Sequence, residues 1–487
     1  MRQLLSFFSV EDRKAARASA DRLYACLCEQ GTKKGGIVLV AYGGGKDSSY
    51  TLAFMRAVQL LFKEMRGWPF SLRSATNRHA GMPRAVMENI HRAYLALGMY
   101  QDPDCELLMI DGNAVRPFRV DAPQADAVVA RNRADILMTG HRTAADARPT
   151  FCNACNLSMA NAFGIAASHG AGADLIVTGD SAREQRAYTA WIHRLSRQVP
   201  QRAERRNGHG FPAVLGALDD VAKAYFRDIH GDGERATEPE HGVASRVPTG
   251  LRFFSIYGET SYDAGSHWSL LTEHLGFVFD DLAFSFTESD CANPALMAHL
   301  RGLKAEHLFG RDYREGLREY VDFALRLMEQ KEFPQQLIDV MADRYAAPGS
   351  HEVLREKVNS FARDAYGLQE RHLVCMVHAP FAAGGKGLER CLRNQAPHLL
   401  PHQSAVHALL RAPAAGGDAG VPEGDRGLWR ELEDLSGLAP GQLQTLYAAD
   451  MLPSLVLSIL AGDPHKGPIR TRHSSDGPEV TEIISGR

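Results

Sequence analysis

No stretch of this 487-residue chain carries the ~18 consecutive apolar residues of a membrane-spanning helix. Basic charge is not in excess either. Lysine and arginine total 55 against 58 aspartates and glutamates, a formal net charge of −3, whereas proteins that work mainly on nucleic acid tend to carry a basic domain or stripe. The apolar opening, Met1 to Phe8, is interrupted by Glu11, Asp12, Arg13 and Lys14 before it reaches the length of a signal-peptide core. Export is therefore not expected, and a cytoplasmic enzyme is. Among the eight cysteines there is one C-x-x-C and no second, so a closed four-ligand zinc site is not completed in that way. There is no internal repeat. With 45% hydrophobic residues the core is not limited by composition, and the length predicts more than one domain at roughly 100–200 residues each.

The most informative stretch is Ile37-Val38-Leu39-Val40-Ala41-Tyr42-Gly43-Gly44-Gly45-Lys46-Asp47-Ser48-Ser49. Residues 37–41 have no polar break, as in a strand buried on both faces. Phe54, Val58, Leu61 and Phe62 then recur at helical spacing. Three glycines at a strand-to-helix turn let backbone N–H groups close on an anion, and the helix start adds donors and a positive dipole end. The turn is a phosphate-site candidate. It is not a Walker A loop, because Val40 stands where the first glycine belongs and Asp47 follows the lysine in place of a hydroxyl residue.

Gly43-Gly44-Gly45-Lys46-Asp47-Ser48 resembles the S-G-G-x-D-S loop of the PP-loop ATP pyrophosphatase superfamily, the adenine nucleotide alpha-hydrolase-like enzymes, with Gly43 in place of the first serine. The resemblance implies an α/β fold, a parallel doubly wound sheet of the HUP-like type with a helical C-terminal region. It also implies ATP and Mg2+ as cofactors, with Lys46 and Asp47 catalytic. The nucleotide would be held by Tyr42, Gly43, Gly44, Gly45, Lys46, Asp47, Ser48 and Ser49.

Two further segments extend the resemblance to cysteine-containing tRNA thiolation enzymes of the 2-thiocytidine type. Cys152-Asn153-Ala154-Cys155 precedes an apolar helical stretch, and Ala173–Asp180 is expected to be a buried strand ending in Thr178-Gly179-Asp180. Asp180 stands where the family usually has histidine, and Ala182-Arg183-Glu184-Gln185 replaces a common acidic pair, both of which count against RNA as substrate. Cys291 occupies the place of a third cysteine, after strand-like Leu251–Tyr257 and Gly276–Phe279. The family implies that Cys152, Cys155 and Cys291 converge, either as metal ligands, with a [4Fe–4S] cluster leaving one iron open and zinc as the alternative, or as a persulfide and its resolving thiol. A buried cysteine is also often only a small hydrophobe. Arg301 and Lys304 follow the third cysteine, where a basic residue faces the nucleotide in related enzymes. Their i, i+3 spacing also suits a wet helix face.

Residues 9–30 are expected to be a helix capped by Ser9, with Cys26 and Cys28 structural. Cys105–Gly112 forms another strand, placing Asp111 beside Gly43–Ser48 and Asp180 at the carboxyl edge of a parallel sheet, to hold magnesium or ribose or merely to cap a helix. The expected domains are an N-terminal helix (1–34), a PP-loop domain (35–310) with an insertion near 197–250, a helical region (311–411), and a linker, small helical unit and polar tail (412–487). Leu373–Val377 looks strand-like. Gly384–Gly387 is not taken as a nucleotide site, and His398 with His402 is a weak metal pair because Pro401 interrupts the helix it needs. The expected activity is ATP-dependent adenylation of a carbonyl or carboxylate oxygen, forming AMP and pyrophosphate, followed by sulfur transfer to a small-molecule or carrier-tethered acceptor from a sulfur donor. The alternatives are an amide- or amidine-forming ligase using ammonia or an amine, tRNA base thiolation, and a non-catalytic nucleotide-binding protein.

Overall fold

The structure, a computed structural model, describes residues 2–29, 31, 35–179, 186, 190, 192, 194, 197, 211–231, 246–257, 259–260, 267–280, 282, 291–330, 335–412, 423–451, 466–472 and 479–485. Its contacts divide the chain into two compact units. The first comprises Met1–Ala125, Leu157–Ala222 and Pro239–Ala292, and the second comprises Asp126–Asn156, Lys223–Glu238 and Asn293–Arg487. Each unit draws on three separate segments of the chain.

The first unit is α/β. Strands β1 (Ile37–Ala41), β2 (Ser71–Asn77), β3 (Cys105–Asp111), β4 (Ala114–Pro117), β5 (Leu175–Val177) and β6 (Arg252–Phe253) form a sheet in the order β4-β3-β2-β1-β5-β6. Every neighbouring pair is parallel except β3 with β4, which turn back through a tight hairpin. The chain steps outward from β1 through β2 to β3 on one side and from β1 to β5 and β6 on the other, an order compatible with a doubly wound sheet.

Burial follows from the uninterrupted apolar run of β1. Val38 and Val40 join a cluster with Leu4 of α1 (Arg2–Ser6), Leu23 and Leu27 of α2 (Val10–Glu29), Phe54 and Val58 of α3 (Lys46–Arg66), and Val86 and Ile90 of α4 (Arg84–Ala96). Leu39, one residue out of phase, joins the opposite cluster with Ile165 and Ala166 of α6 (Ala147–Ser168) and Leu215 of α7 (Phe211–His230). Apolar side chains on both faces of a strand are what parallel sheets covered by helices require. The expected helix at 9–30 forms as α2, and its cap is Ser9. The Asp12 N–H donates to the Ser9 hydroxyl (2.9 Å) and the Ser9 hydroxyl donates to the Asp12 carboxylate (2.8 Å).

The second unit is helical among its described residues apart from one hairpin. It holds α5 (Asp126–Arg142), the first turns of α6, the end of α7, α8 (Asn293–Phe309) and the helices Tyr313–Gln330, Gln335–Ala346, Ser350–Tyr366, Glu370–His378, Leu388–Gln395, Gln403–Arg411, Glu423–Ser436 and Pro440–Ala448. Leu373–Val377, expected as a strand, lies within one of these helices, and all of His372–His378 is buried. A short β-branched apolar run fits a buried helix as well as a strand. The tail expected beyond residue 463 contains antiparallel strands β7 (Lys466–Arg472) and β8 (Glu479–Ser485). Of the strand-like segments before Cys291, only Arg252–Phe253 pairs in the sheet. Gly276–Phe279 is irregular, with the Val278 N–H and carbonyl both satisfied by the Asn89 side chain. No helix among the described residues is long and apolar enough to cross a membrane.

Candidate nucleotide site and the cysteine pair

The glycine turn is held at both ends by the sheet. The Tyr42 N–H still donates to the Ala75 carbonyl (2.9 Å), and four residues later α3 begins at Lys46. Gly44 has φ +82°, and a Cβ there would sit 2.8 Å from Ile90 and 2.9 Å from Val86 on α4. Only glycine meets both conditions. Gly45 occupies the helix cap position and offers no side chain to the first-turn N–H groups, the arrangement that suits an outside anion. β5 closes the other side, because a Cβ on Gly179 would lie 3.5 Å from the Ser48 nitrogen and 3.7 Å from the Asp47 Cβ. Gly43–Ser49 and Thr178–Gly179 therefore meet where the strand order reverses, the usual ligand crevice of such sheets. The backbone cradle around Gly44 fits a phosphate chain.

The side chains nearby divide by direction. Tyr42 and Ser49 are buried and 3.1 Å apart, hydroxyl to hydroxyl. Burial drives the Tyr42 pKa up despite the Ser49 hydrogen bond, so a ligand would meet these residues through their backbone. The Ser48 hydroxyl donates to the Gly45 carbonyl (3.1 Å), which tightens the first turn. Lys46 and Thr178 are buried, and Asp47 is half-buried in the first turn of α3. A carboxylate there suits the helix dipole but opposes a phosphate unless a cation stands between them.

Asp111 ends β3, two strands from β1 and so ~10 Å across the sheet edge. Its side chain is 3% exposed, and neither oxygen accepts a hydrogen bond from a described residue. Beside it, at the end of β2, Arg78 has its pKa lowered by burial while the Asp111 charge pulls the other way, and the Asn77 amide nitrogen has no acceptor among the described residues. A buried carboxylate left without donors is costly unless a cation or protonated group reaches it, so Asp111 suits a magnesium or ribose contact. Asn77 and Arg78 escape a sequence reading because β2 itself is hard to see. Ser71, Arg73, Ser74 and Asn77 break its apolar pattern, and Arg73 is buried only because Glu106 and the carbonyls of Ala166 and His169 engage its guanidinium. Asp180 lies outside the described residues.

The cysteine pair is inside its helix rather than ahead of it. α6 starts at Ala147, where Asp146 receives the Thr150 N–H on its carbonyl (3.2 Å) and the Arg148 N–H on its carboxylate (3.3 Å). The i, i+3 spacing puts Cys152 and Cys155 on one face. Cys152 is buried, with Arg148 3.3 Å and the Asn293 amide 3.7 Å from its sulfur. Burial pushes its thiol pKa up, and the Arg148 charge only partly offsets this. Reactive thiolates have lowered pKa values, so this thiol is not an activated nucleophile as placed. Cys155 is half-buried in the same unit, while Cys291 is buried and belongs to the first unit.

Among the described residues no group of three or more His, Cys, Asp or Glu is arranged to hold a metal ion. Elsewhere, Cys105 contacts Arg56 (3.4 Å) and is pushed up to about 11 by burial. Gly384–Gly387 is a packing turn, since a Cβ on Gly387 would lie 2.3 Å from the His378 carbonyl. His398 pairs with Glu431 (3.2 Å) on the surface.

What the fold and site define is an α/β protein with a glycine-lined strand-to-helix turn at the sheet's switch point. No protein-family model matches the chain, and no curated protein matches it.

Proposed function

We propose that this protein is an ATP pyrophosphatase of the PP-loop, HUP-like type, which adenylates an acceptor oxygen and then replaces AMP with sulfur. The observation that carries the reading is the coincidence of the Gly43–Ser48 motif with the switch point of the sheet, where Gly44 has no room for a side chain and Gly179 packs on the helix start. An oxygen of a carbonyl, amide or carboxylate attacks the α-phosphate of ATP, and pyrophosphate leaves. The backbone N–H groups of Gly44, Gly45 and the first turn of α3 stabilise that leaving charge through fixed dipoles, with Lys46 adding a cation. Asp47 and Asp111 are the residues that would hold magnesium, which neutralises the phosphate charge when bound. Sulfide from a donor then attacks the activated carbon and AMP leaves with the former acceptor oxygen; Cys152 and Cys155, on one face of α6, and Cys291 are the thiols whose substitution tests that delivery. The net charge of −3 favours a small or carrier-tethered acceptor over tRNA.

A second reading is supported by one observation, the burial of Cys152 between the Arg148 guanidinium and the Asn293 amide. With that thiol protonated and structural, ammonia or an amine becomes the nucleophile and the product is an amide or amidine. Both readings require AMP and pyrophosphate to form from ATP. They part at product mass, where sulfur replacing oxygen marks the first and nitrogen replacing oxygen marks the second. Cys152→Ser and Cys291→Ser, assayed singly, abolish product under the sulfur reading and leave it under the other. Failure of the full-length protein to release pyrophosphate with any carbonyl or carboxylate acceptor, while it still binds ATP, contradicts both.

A further inference from the structure

Cys375 and Cys391 take no part in either reading of the glycine-loop chemistry. Cys375 lies on the helix Glu370–His378 and Cys391 on the helix Leu388–Gln395, and the two helices pack on each other within the second unit. Both thiols are fully buried, with their sulfurs 4.0 Å apart. Among the described residues, each sulfur finds its hydrogen-bond contact in the other. A disulfide bond is about 2.05 Å long, so about 2 Å of movement separates this contact from a bond.

The chain between the two thiols holds them in register. Ala379 and Ala383 sit at φ +45° and +51°, a backbone region that costs energy for any residue with a side chain. Gly387 packs against the His378 carbonyl with no room for a Cβ. The turn therefore fixes how the second helix returns to the first. That second helix is only eight residues long, and Glu389, Arg390 and Arg393 are exposed on its outer side. A short helix with a polar outer face opens locally more readily than Glu370–His378, whose residues His372–His378 are all buried.

We propose that Cys375 and Cys391 form a redox site, oxidised by a hydroperoxide to a reversible disulfide that ties the two helices together. Opening of Leu388–Gln395 brings Cys391 to the oxidant. With hydrogen peroxide, the Cys391 sulfur takes one oxygen as the O–O bond breaks, leaving a sulfenic acid and one water. When the helix closes, the Cys375 sulfur displaces hydroxide from the Cys391 sulfur, and the Cys375 proton leaves with it as a second water. Two thiols give up two electrons, and one peroxide becomes two waters. Burial and the neighbouring sulfur push the Cys375 thiol well up, which suits it to this second, intramolecular step rather than to the first. The site uses no glycine-loop residue and does not depend on the adenylation reading.

Treatment of the reduced full-length protein with hydrogen peroxide, then unfolding, iodoacetamide and tryptic peptide mapping, tests this. The expected product joins the peptide His372–Lys386 to the peptide Cys391–Arg393, with both thiols lost in equal proportion and both recovered after dithiothreitol. In Cys375→Ala the Cys391 sulfenic acid has no resolving partner and is trapped by dimedone. Peroxide that oxidises the exposed Cys28, while Cys375 and Cys391 of the wild type are both recovered as free thiols, overturns the proposal. So does a wild type in which either thiol is linked to a different cysteine, or in which one of the two is oxidised and the other stays free.

Discussion

Gly44 concentrates the argument into one backbone position. Its φ of +82° disfavours any side chain, and Ile90 and Val86 occupy the space where a Cβ would go. Gly44→Ala therefore costs stability twice, through strain and through displaced α4 side chains. A loss of about 1–3 kcal/mol is expected in chemical denaturation, together with weakened ATP binding. A neutral substitution would mean that the cradle is not held as described. Cys152 supports a different prediction. Its buried thiol has a raised pKa, so at neutral pH it stays protonated and iodoacetamide, which attacks the thiolate, labels it far more slowly in the native protein than after unfolding. Peptide mapping of the alkylated protein reads this directly, and rapid native labelling of Cys152 would show a thiolate there. At this scale the sequence was most readable where glycine spacing dictates geometry. It was silent on Asn77 and Arg78, because no local pattern marks a polar residue at the end of a strand whose burial depends on distant partners.

At the scale of elements, β1, α3 and β3 were legible because their apolar runs and helical spacing are strong and local. The helix Glu370–His378 was not. Its Val374 to Val377 run reads either way, and what decides is tertiary packing together with the Gln369 N–H donating to the His372 ring (3.2 Å). α6 begins earlier than expected, at Ala147, so the Cys152–Cys155 segment that was expected to precede the helix lies inside it. The candidate site inherits both outcomes. The glycine loop could be placed on its strand and helix from sequence, while the surroundings of Cys152 could not. The pairing of α8 with the helix Tyr313–Gln330 shows how glycine acts at this level. A Cβ on Gly316 would lie 2.5 Å from the Arg301 carbonyl, and one on Gly302 would lie 2.4 Å from the Tyr313 ring. Gly316→Ala must push the two helices apart, at about 1–3 kcal/mol for overpacking, and urea unfolding should show it. An unchanged midpoint would mean that the helices are not in backbone contact there.

Across the molecule, buried histidines gather in the second unit. His141 is fully buried with neither ring nitrogen hydrogen-bonded to a described residue, and burial pushes its pKa down to about 3. His299, His372 and His378 are each pushed down to about 4, again chiefly by burial. A histidine with a depressed folded pKa binds its proton more readily when unfolded, so stability is full above the unfolded value of about 6.5 and drains away as pH falls toward the folded value. Melting temperature should therefore drop between about pH 7 and pH 5, before most carboxylates titrate. His141→Phe, placed beside Phe381, should reduce that drop, whereas an identical slope in the variant would show that His141 titrates normally.

The central claim is that the glycine loop binds the phosphates of ATP. Calorimetric titration of the full-length protein with magnesium ATP, then with inorganic pyrophosphate as competitor, tests it most directly when run beside Lys46→Ala. The account predicts that ATP binds, that pyrophosphate displaces it, and that Lys46→Ala weakens both by about tenfold or more. ATP that fails to bind, or that binds equally well without Lys46 and ignores pyrophosphate, would contradict it.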